Sequence, residues 1–116
     1  MTIASRVFKL SLDIRYVALY ANGALSMSQR PELDFASDSK SDRYEELLVN
    51  PALLTLAGQR GEIDCGGLDF VIVSYGNFHQ LVIPFQQGHI SVAFEKTANP
   101  FQYVSQIQAM LPVPRI

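Results

Sequence analysis

The 116-residue chain has one cysteine, two histidines and no tryptophan, and its 9 basic and 11 acidic residues leave a formal charge of -2. The single cysteine, Cys65, excludes a disulfide framework within the chain and fits a reducing compartment. Because Lys and Arg are scattered and the net charge is small, nucleic acid and anionic lipid are disfavoured as partners. We therefore expect a protein that does not bind nucleic acid.

Long apolar runs are also missing. Nothing in the sequence approaches the ~18 apolar residues of a membrane span, and Met1 to Asp13 lacks the apolar core of a signal peptide. The chain is 48% hydrophobic and has no tract that resembles a linker, so we predict one compact domain over residues 1–116. We expect a soluble, cytoplasmic protein that does not associate with a membrane.

The clearest pattern that is present runs from Leu68 to Lys96. Two turn signals, Gly76-Asn77 and Gln86-Gln87-Gly88, divide it into three short apolar runs, which predicts a three-stranded antiparallel meander. With two-residue loops, the period of two places one strongly apolar set on a single face: Leu68, Phe70, Ile72, Leu81, Ile83, Phe85, Ile90, Val92 and Phe94. The opposite face carries Val71, Val73 and Val82, so we expect it to be partly covered as well.

A β-hairpin is predicted before the meander. Apolar residues alternate from Phe8 to Tyr20, which favours a strand, although a helix over Ile3 to Leu12 is the alternative. Asn22-Gly23 follows, the dipeptide that best fits a type I′ turn, and Ala24 to Gln29 then forms the return strand. In this register one face shares Tyr16, Ala18, Tyr20, Leu25 and Met27.

Helices are predicted in the middle and at the end of the chain. After a loop over Glu32 to Ser41, Asp42 and Glu45 resemble a capping box that begins a helix. Asn50 and Pro51 interrupt it as the cap and first residue of a second segment, which ends at Gly61, so we expect one kinked helix or two abutting ones. Asn99-Pro100 repeats the signal, and the residues at helical spacing after it are Phe101, Val104, Ile107 and Leu111.

Three segments together resemble the roadblock/dynein light chain domain of the roadblock–longin superfamily. They are the hairpin ALYANGALSMSQRP, the central stretch DRYEELLVNPALLTLAGQRGE and the closing run LVIPFQQGHISVAFEKTANPFQYVSQIQAML. The resemblance covers Ile14 to Leu111 and depends on hydrophobic pattern and turns, because the family has no catalytic signature. One feature departs from it: roadblock domains usually begin with a short helix, whereas Phe8 to Leu12 is predicted as a strand.

The resemblance implies an α+β fold of profilin-like topology. A five-stranded antiparallel sheet, made of the hairpin and the meander, would have the central helix on one face and the C-terminal helix on the other. It also implies a non-enzymatic scaffold or regulator that forms homodimers and binds a small Ras-like GTPase or a motor or signalling complex. We expect the subunit interface to use the central helix and the strand after it, with these residues: Tyr44, Leu47, Leu48, Leu53, Leu56, Val71 and Val73.

No residue set predicts a catalytic site, a metal site or a cofactor. With two-residue loops, His79 and His89 fall on opposite faces of the sheet, so they cannot chelate one ion and are expected to be surface or hydrogen-bonded residues. We expect Cys65 to be packed or exposed and not a nucleophile, since the sequence places no histidine near it. Glu62 and Asp64 are better explained as solvated acidic residues than as an acid–base pair.

The remaining signals allow a second function. Gly66-Gly67 precedes a strand and lacks the lysine of a phosphate-binding loop, so it is expected to be a turn. Tyr16, Tyr20 and Met27 are expected to be core residues, but they are also suited to line a ligand pocket between sheet and central helix. The alternative function is therefore a small-molecule sensor of profilin-like or PAS-like shape.

Overall fold

The computed structural model describes residues 2–30 and 39–112, which form an α+β fold with one five-stranded antiparallel sheet. None of the helices in these two ranges is long and apolar enough to cross a membrane. In chain order the elements are α1 (Ile3–Phe8), β1 (Ile14–Ala21), β2 (Ala24–Gln29), α2 (Ser39–Tyr44), a π-helical segment (Glu45–Val49), α3 (Asn50–Asp64), β3 (Val71–Ser74), β4 (Phe78–Phe85), β5 (Gly88–Glu95), a 3-10 turn (Pro100–Tyr103) and α4 (Val104–Gln108).

The hairpin and the meander join into a single sheet, as predicted. The strand order is β2-β1-β5-β4-β3, and β1 pairs with β5 at the centre. Asn22 and Gly23 have φ values of 54° and 81°, which fits the type I′ turn expected from the sequence. Gly88 lies at the start of β5, where the meander pairs with the hairpin, and a Cβ atom there would come within 2.8 Å of the Tyr20 carbonyl carbon. Only glycine allows the backbones of β1 and β5 to approach this closely.

The predicted alternation of side chains across the meander is confirmed. Val92 lies between Leu81 and Val17 on the neighbouring strands, and Ile90 faces Ile83, so these residues share one face. They form the main core together with Ile14 and Phe94 of the sheet and with buried residues of α1 and α4: Val7, Val104 and Ile107. This face therefore accounts for most of the apolar burial that stabilises the domain.

A smaller cluster occupies the opposite face. Tyr16, Ala18 and Ala93 are buried there, with Leu25, Met27 and Phe78 packed beside them. Three polar residues of the same face are also buried, namely Gln80, His89 and Ser91. Buried polar groups require partners, and several of these partners lie on the central helical stretch, by which we mean α2, the π-helical segment and α3 together.

The predicted strand over Phe8 to Leu12 is wrong. Ile3–Phe8 is a helix, in which Thr2 acts as the N-cap and accepts a hydrogen bond from the amide of Ser5, 3.1 Å away. Arg30 then fixes the connection to β1, because its guanidinium donates hydrogen bonds to the carbonyls of Phe8, Ser11 and Ile14. The alternation that suggested a strand applies only from Ile14 onward.

The central helix is interrupted, as predicted, but its details differ from the prediction. Helix already extends over Ser39 to Ser41, so the predicted start at Asp42 is wrong; most of the predicted loop lies outside the described residues. Asn50 is not an N-cap, because its backbone is helical and its side chain points to the sheet. The helix continues past Gly61 to Asp64, since the positive-φ glycines that terminate it are Gly66 and Gly67.

One strand and one helix are shorter than predicted. Strand β3 begins at Val71, so Leu68 lies outside the sheet. At the C-terminal end, Asn99 caps a 3-10 turn by accepting a hydrogen bond from the amide of Phe101, and α4 follows as a short helix ending at Gln108. Of the residues predicted at helical spacing, Val104 and Ile107 are buried and Phe101 is exposed.

Candidate functional site

A buried carboxylate, Glu46, connects the central helical stretch to the sheet. Its side chain is fully buried and accepts hydrogen bonds from the hydroxyl of Tyr16 and the amide of Asn50, both at 3.0 Å. The Nε2 atom of His89 lies 2.9 Å from the same carboxylate oxygen that Asn50 contacts. A buried charge is tolerated when it is paired and hydrogen-bonded in this way.

The cluster extends across β5 and β4. The Asn50 amide is also 3.4 Å from the hydroxyl of Ser91, and the side-chain amide of Gln80 donates a hydrogen bond to that hydroxyl. Two elements of the helical stretch and three strands thus contribute to one polar cluster, which we define as Tyr16, Glu46, Asn50, Gln80, His89 and Ser91.

The π-helical segment determines how Glu46 and Asn50 reach the sheet. The backbone amide of Asn50 donates to the carbonyl of Glu45, five residues earlier, where an α-helix would use the residue four earlier. Pro51 lies at the start of α3, and it has no amide hydrogen to continue the regular pattern. The wider turn ends where the proline begins a new helix, and π-helical turns of this kind are frequent at functional sites.

A cavity of about 700 Å³ opens beside the polar cluster, between the start of the central helical stretch and the β3–β4 turn. Four aromatic residues line it, which we call the aromatic wall: Tyr16, Tyr44, Tyr75 and Phe78. The rings of Tyr75 and Phe78 pack at a centroid distance of 5.2 Å. They face each other because Gly76 and Asn77 form the two-residue loop that the sequence predicted.

The charged residues of the cavity are mainly acidic. Asp42, Glu45 and Glu46 line it together with one cation, Lys40. The hydroxyl of Tyr75 donates to the carboxylate of Glu45, at 2.9 and 3.1 Å from its two oxygens. Burial raises the pKa of Glu45 above its ordinary value of 4.5, and the hydrogen bond from Tyr75 only partly opposes this.

The same carboxylates also help to raise the pKa values of two tyrosines that line the cavity. Burial, followed by the hydrogen bond to Glu45, raises the pKa of Tyr75 to about 12. Burial and the charge of Glu46 raise the pKa of Tyr16 well above its ordinary value of 10.0. Both hydroxyls therefore stay protonated at neutral pH and act as hydrogen-bond donors.

The residues predicted for a subunit interface are spread along the central helical stretch and β3. Large apolar side chains are exposed there, with relative exposures of 61% for Tyr44, 59% for Leu48 and 68% for Leu56. Leu47 is 37% exposed, and Leu53, Val71 and Val73 are half-buried. Leu54 is the leucine of α3 that points into the core. Strand β3 lies at one edge of the sheet.

The other sites considered from the sequence are not brought together. His79 and His89 lie on opposite faces, as predicted, and His79 contacts the carbonyl of Lys96. Asp64 pairs with Arg60 at 2.6 Å, and that hydrogen bond, with one from Cys65, lowers the pKa of Asp64. Among residues 2–30 and 39–112 there is no group of three His, Cys, Asp or Glu side chains that could hold a metal ion.

Sequence reasoning missed the polar cluster, although one signal pointed to it. Gln80, His89 and Ser91 fall on the second face of otherwise apolar strands, which was expected to be partly covered, and a buried polar position implies a partner on the element that covers it. Glu46 and Asn50 are one helical turn apart, which is the spacing of two side chains on one helix face. Of the predicted pocket residues, Tyr16 lines the cavity, whereas Tyr20 and Met27 do not.

A scan against protein-family models and a search of curated proteins found no match to this chain.

Proposed function

We propose that this protein is a non-enzymatic interaction module that forms a homodimer in the manner of roadblock domains and binds a small Ras-like GTPase. The order of elements supports the resemblance more closely than the sequence alone did. Ile3–Phe8 is a short helix ahead of the first strand, which the sequence pattern did not favour, and roadblock domains usually begin with such a helix.

The exposed apolar surface of the central helical stretch is the observation that carries the proposal. Tyr44, Leu48 and Leu56, on three successive elements of the central helical stretch, are each more than half exposed, and patches of large exposed apolar residues are typical of protein interaction sites. Strand β3 adds an edge with half-buried valines and no charged residue, and an unprotected edge invites strand pairing with a second chain. A dimer through these surfaces would bury ~800 Å² per subunit.

Light scattering coupled to size exclusion tests the dimer. We expect the wild-type chain to be dimeric at tens of micromolar and the Leu56→Glu variant to be monomeric, because a charge would be buried at the interface. Leu12→Glu is the matched control, since Leu12 is an exposed leucine, at 89%, on the α1–β1 connection. A wild-type monomer at this concentration, or dimers that both variants retain, would contradict the interface.

The GTPase needs a separate measurement. A Ras-like GTPase from the same genome, loaded with GDP or with a non-hydrolysable GTP analogue, would be titrated against the dimer by calorimetry. Binding that prefers one nucleotide state supports a regulatory role, and a dimer that binds neither state would leave only the scaffold part of the proposal.

The cavity favours a second candidate function, a small-molecule sensor. Its volume lies within the ~300–1,000 Å³ typical of ligand sites, and the aromatic wall and carboxylates converge on it. A ligand that binds only the folded state would raise the melting temperature. A metabolite panel that gives no thermal shift would remove this candidate and leave the dimer proposal intact.

A further inference from the structure

The cavity combines aromatic side chains with carboxylates, and this combination selects one class of ligand. We infer that it binds a small organic cation, one with a quaternary ammonium, alkylammonium or guanidinium group. This inference rests on the second candidate function, the sensor, and goes beyond it by naming the ligand class. Its measurement does not require the GTPase, but Tyr44 belongs both to the cavity lining and to the predicted subunit interface.

The aromatic wall provides the first part of the argument. Tyr16, Tyr44, Tyr75 and Phe78 line one space, and the faces of such rings attract cations through their negative quadrupole. Tyr75 and Phe78 are held as a pair with an interplanar angle of 42°. Tyr44 is 61% exposed, so its ring lies at the mouth, where a ligand would cover it. Recognition of ammonium groups by several aromatic rings is a common use of this arrangement.

The carboxylates provide the second part. Three of them and one lysine line the cavity, so its balance of charge attracts cations and repels phosphates or carboxylic acids. Glu45 receives its hydrogen bond from the neutral hydroxyl of Tyr75, and burial disfavours its charge. A bound cation would stabilise the ionised form of Glu45, because opposite charges attract more strongly where water is partly excluded.

Glu46 plays a different part at the base of the cavity. Tyr16, Asn50 and His89 already satisfy its two oxygens, so it contributes charge and positions the Tyr16 ring. Glu45 is thus the residue on which a cation should depend most directly.

Calorimetry and thermal shift with choline, agmatine and spermidine test the inference. We expect at least one of these cations to bind and to raise the melting temperature. The neutral isostere of choline, 3,3-dimethyl-1-butanol, has nearly the same shape without the charge. It should bind at least about tenfold more weakly than choline, a difference of about 1.4 kcal/mol.

Two variants locate the ligand. Glu45→Gln keeps the size of the side chain and an acceptor for Tyr75, and it should weaken binding of the best cation about tenfold or more. Tyr44→Leu keeps an apolar side chain at an exposed position but removes a ring, so it should also weaken binding without affecting folding. Glu62→Gln is the matched control, because Glu62 is an exposed glutamate on α3 outside the cavity lining, and its affinity should equal that of the wild type.

Each contrary result has a defined meaning. The inference is overturned if none of the three cations binds, if the neutral isostere binds as tightly as choline, or if Glu45→Gln and Tyr44→Leu both bind like Glu62→Gln. Should the wider metabolite panel contain a neutral or anionic ligand for the cavity, the sensor function would stand and the cation would not. If no compound of the panel binds, both the sensor function and the organic-cation ligand are wrong.

Discussion

Replacing Glu46 with alanine would test whether the polar cluster holds the central helical stretch to the sheet. The substitution leaves three donors without their acceptor, on Tyr16, Asn50 and His89. Each unsatisfied buried donor costs about 1–3 kcal/mol. The Asn50 amide keeps its contact with the Ser91 hydroxyl, so we expect a loss of about 3–5 kcal/mol, the range for removing one partner of a buried pair.

Chemical and thermal denaturation followed by circular dichroism would measure this loss. A domain of 116 residues loses roughly 3–6 °C in melting temperature per kcal/mol, so Glu46→Ala should lower it by about 9 °C or more. Glu62→Ala is the control, because exposed substitutions of this kind stay within about 0.5 kcal/mol. Glu46→Gln retains one acceptor oxygen but turns an NH₂ group toward other donors, and it should cost an intermediate amount, about 1–3 kcal/mol.

A double-mutant cycle with His89→Ala would separate the pair from the rest of the cluster. His89 Nε2 and Glu46 share a contact in which both side chains are at most 3% exposed, so the two substitutions should be non-additive by about 0.5–3 kcal/mol. If Glu46→Ala lost less than about 1 kcal/mol, or if the two losses were simply additive, the cluster would not be what fixes the central helical stretch.

Three further predictions concern the backbone junction, the N-terminal helix and pH. Gly88→Ala should cost about 3 kcal/mol or prevent folding, since its Cβ would meet the backbone of Tyr20, whereas Gly76→Ala, with no atom within 4 Å of its Cβ, should be nearly neutral in the same denaturation assay. Arg30→Ala should cost about 1.5–3 kcal/mol and expose α1 to hydrogen exchange, because its charged group bonds to three carbonyls around the α1–β1 connection. Arg30→Lys should not restore stability, since an ammonium group lacks the planar fork, and full rescue by lysine would contradict this role. Glu45→Gln should raise the melting temperature of the ligand-free protein at neutral pH by at most a few degrees, because the charge of Glu45 is disfavoured by burial but screened by solvent. A raised pKa in the folded state means that Glu45 contributes stability below its ordinary pKa and loses it as pH rises, so the difference should vanish near about pH 4, and a lower melting temperature of the variant at pH 7 would refute the reasoning.

Local turn chemistry explains why the sheet was predictable. Asn22-Gly23 and Gly76-Asn77 fix two-residue loops, and once the loop length is set, the period of two assigns every side chain of the neighbouring strands to a face. The pairing of β1 with β5 did not follow from any such local rule. The resemblance to a family implied only that the hairpin and the meander form one sheet, and it did not specify which of their strands pair.

The helix at Ile3–Phe8 shows where sequence patterning fails. Six residues are too few to show a helical period, and the helix is fixed by distant contacts, above all by Arg30 on the far side of the hairpin. A short isolated helix is marginal in water without such tertiary contacts. The apolar pattern of residues 3–12 does not include the contacts made by Arg30, so the pattern alone cannot distinguish a helix from a strand there.

The candidate site was missed for a related reason, and the π-helical segment makes this specific. In a helix, consecutive residues point about 100° apart, so Glu45 and Glu46 have different hydrogen-bond partners although both line the cavity. In the sequence they are one acidic pair near a predicted helix start. In the fold Glu46 is enclosed by the sheet, while Glu45 contacts Tyr75 at the cavity. Glu46 thus holds the central helical stretch to the sheet. Because Glu45 is the preceding residue, the same contacts position its carboxylate at the cavity, where a ligand can reach it.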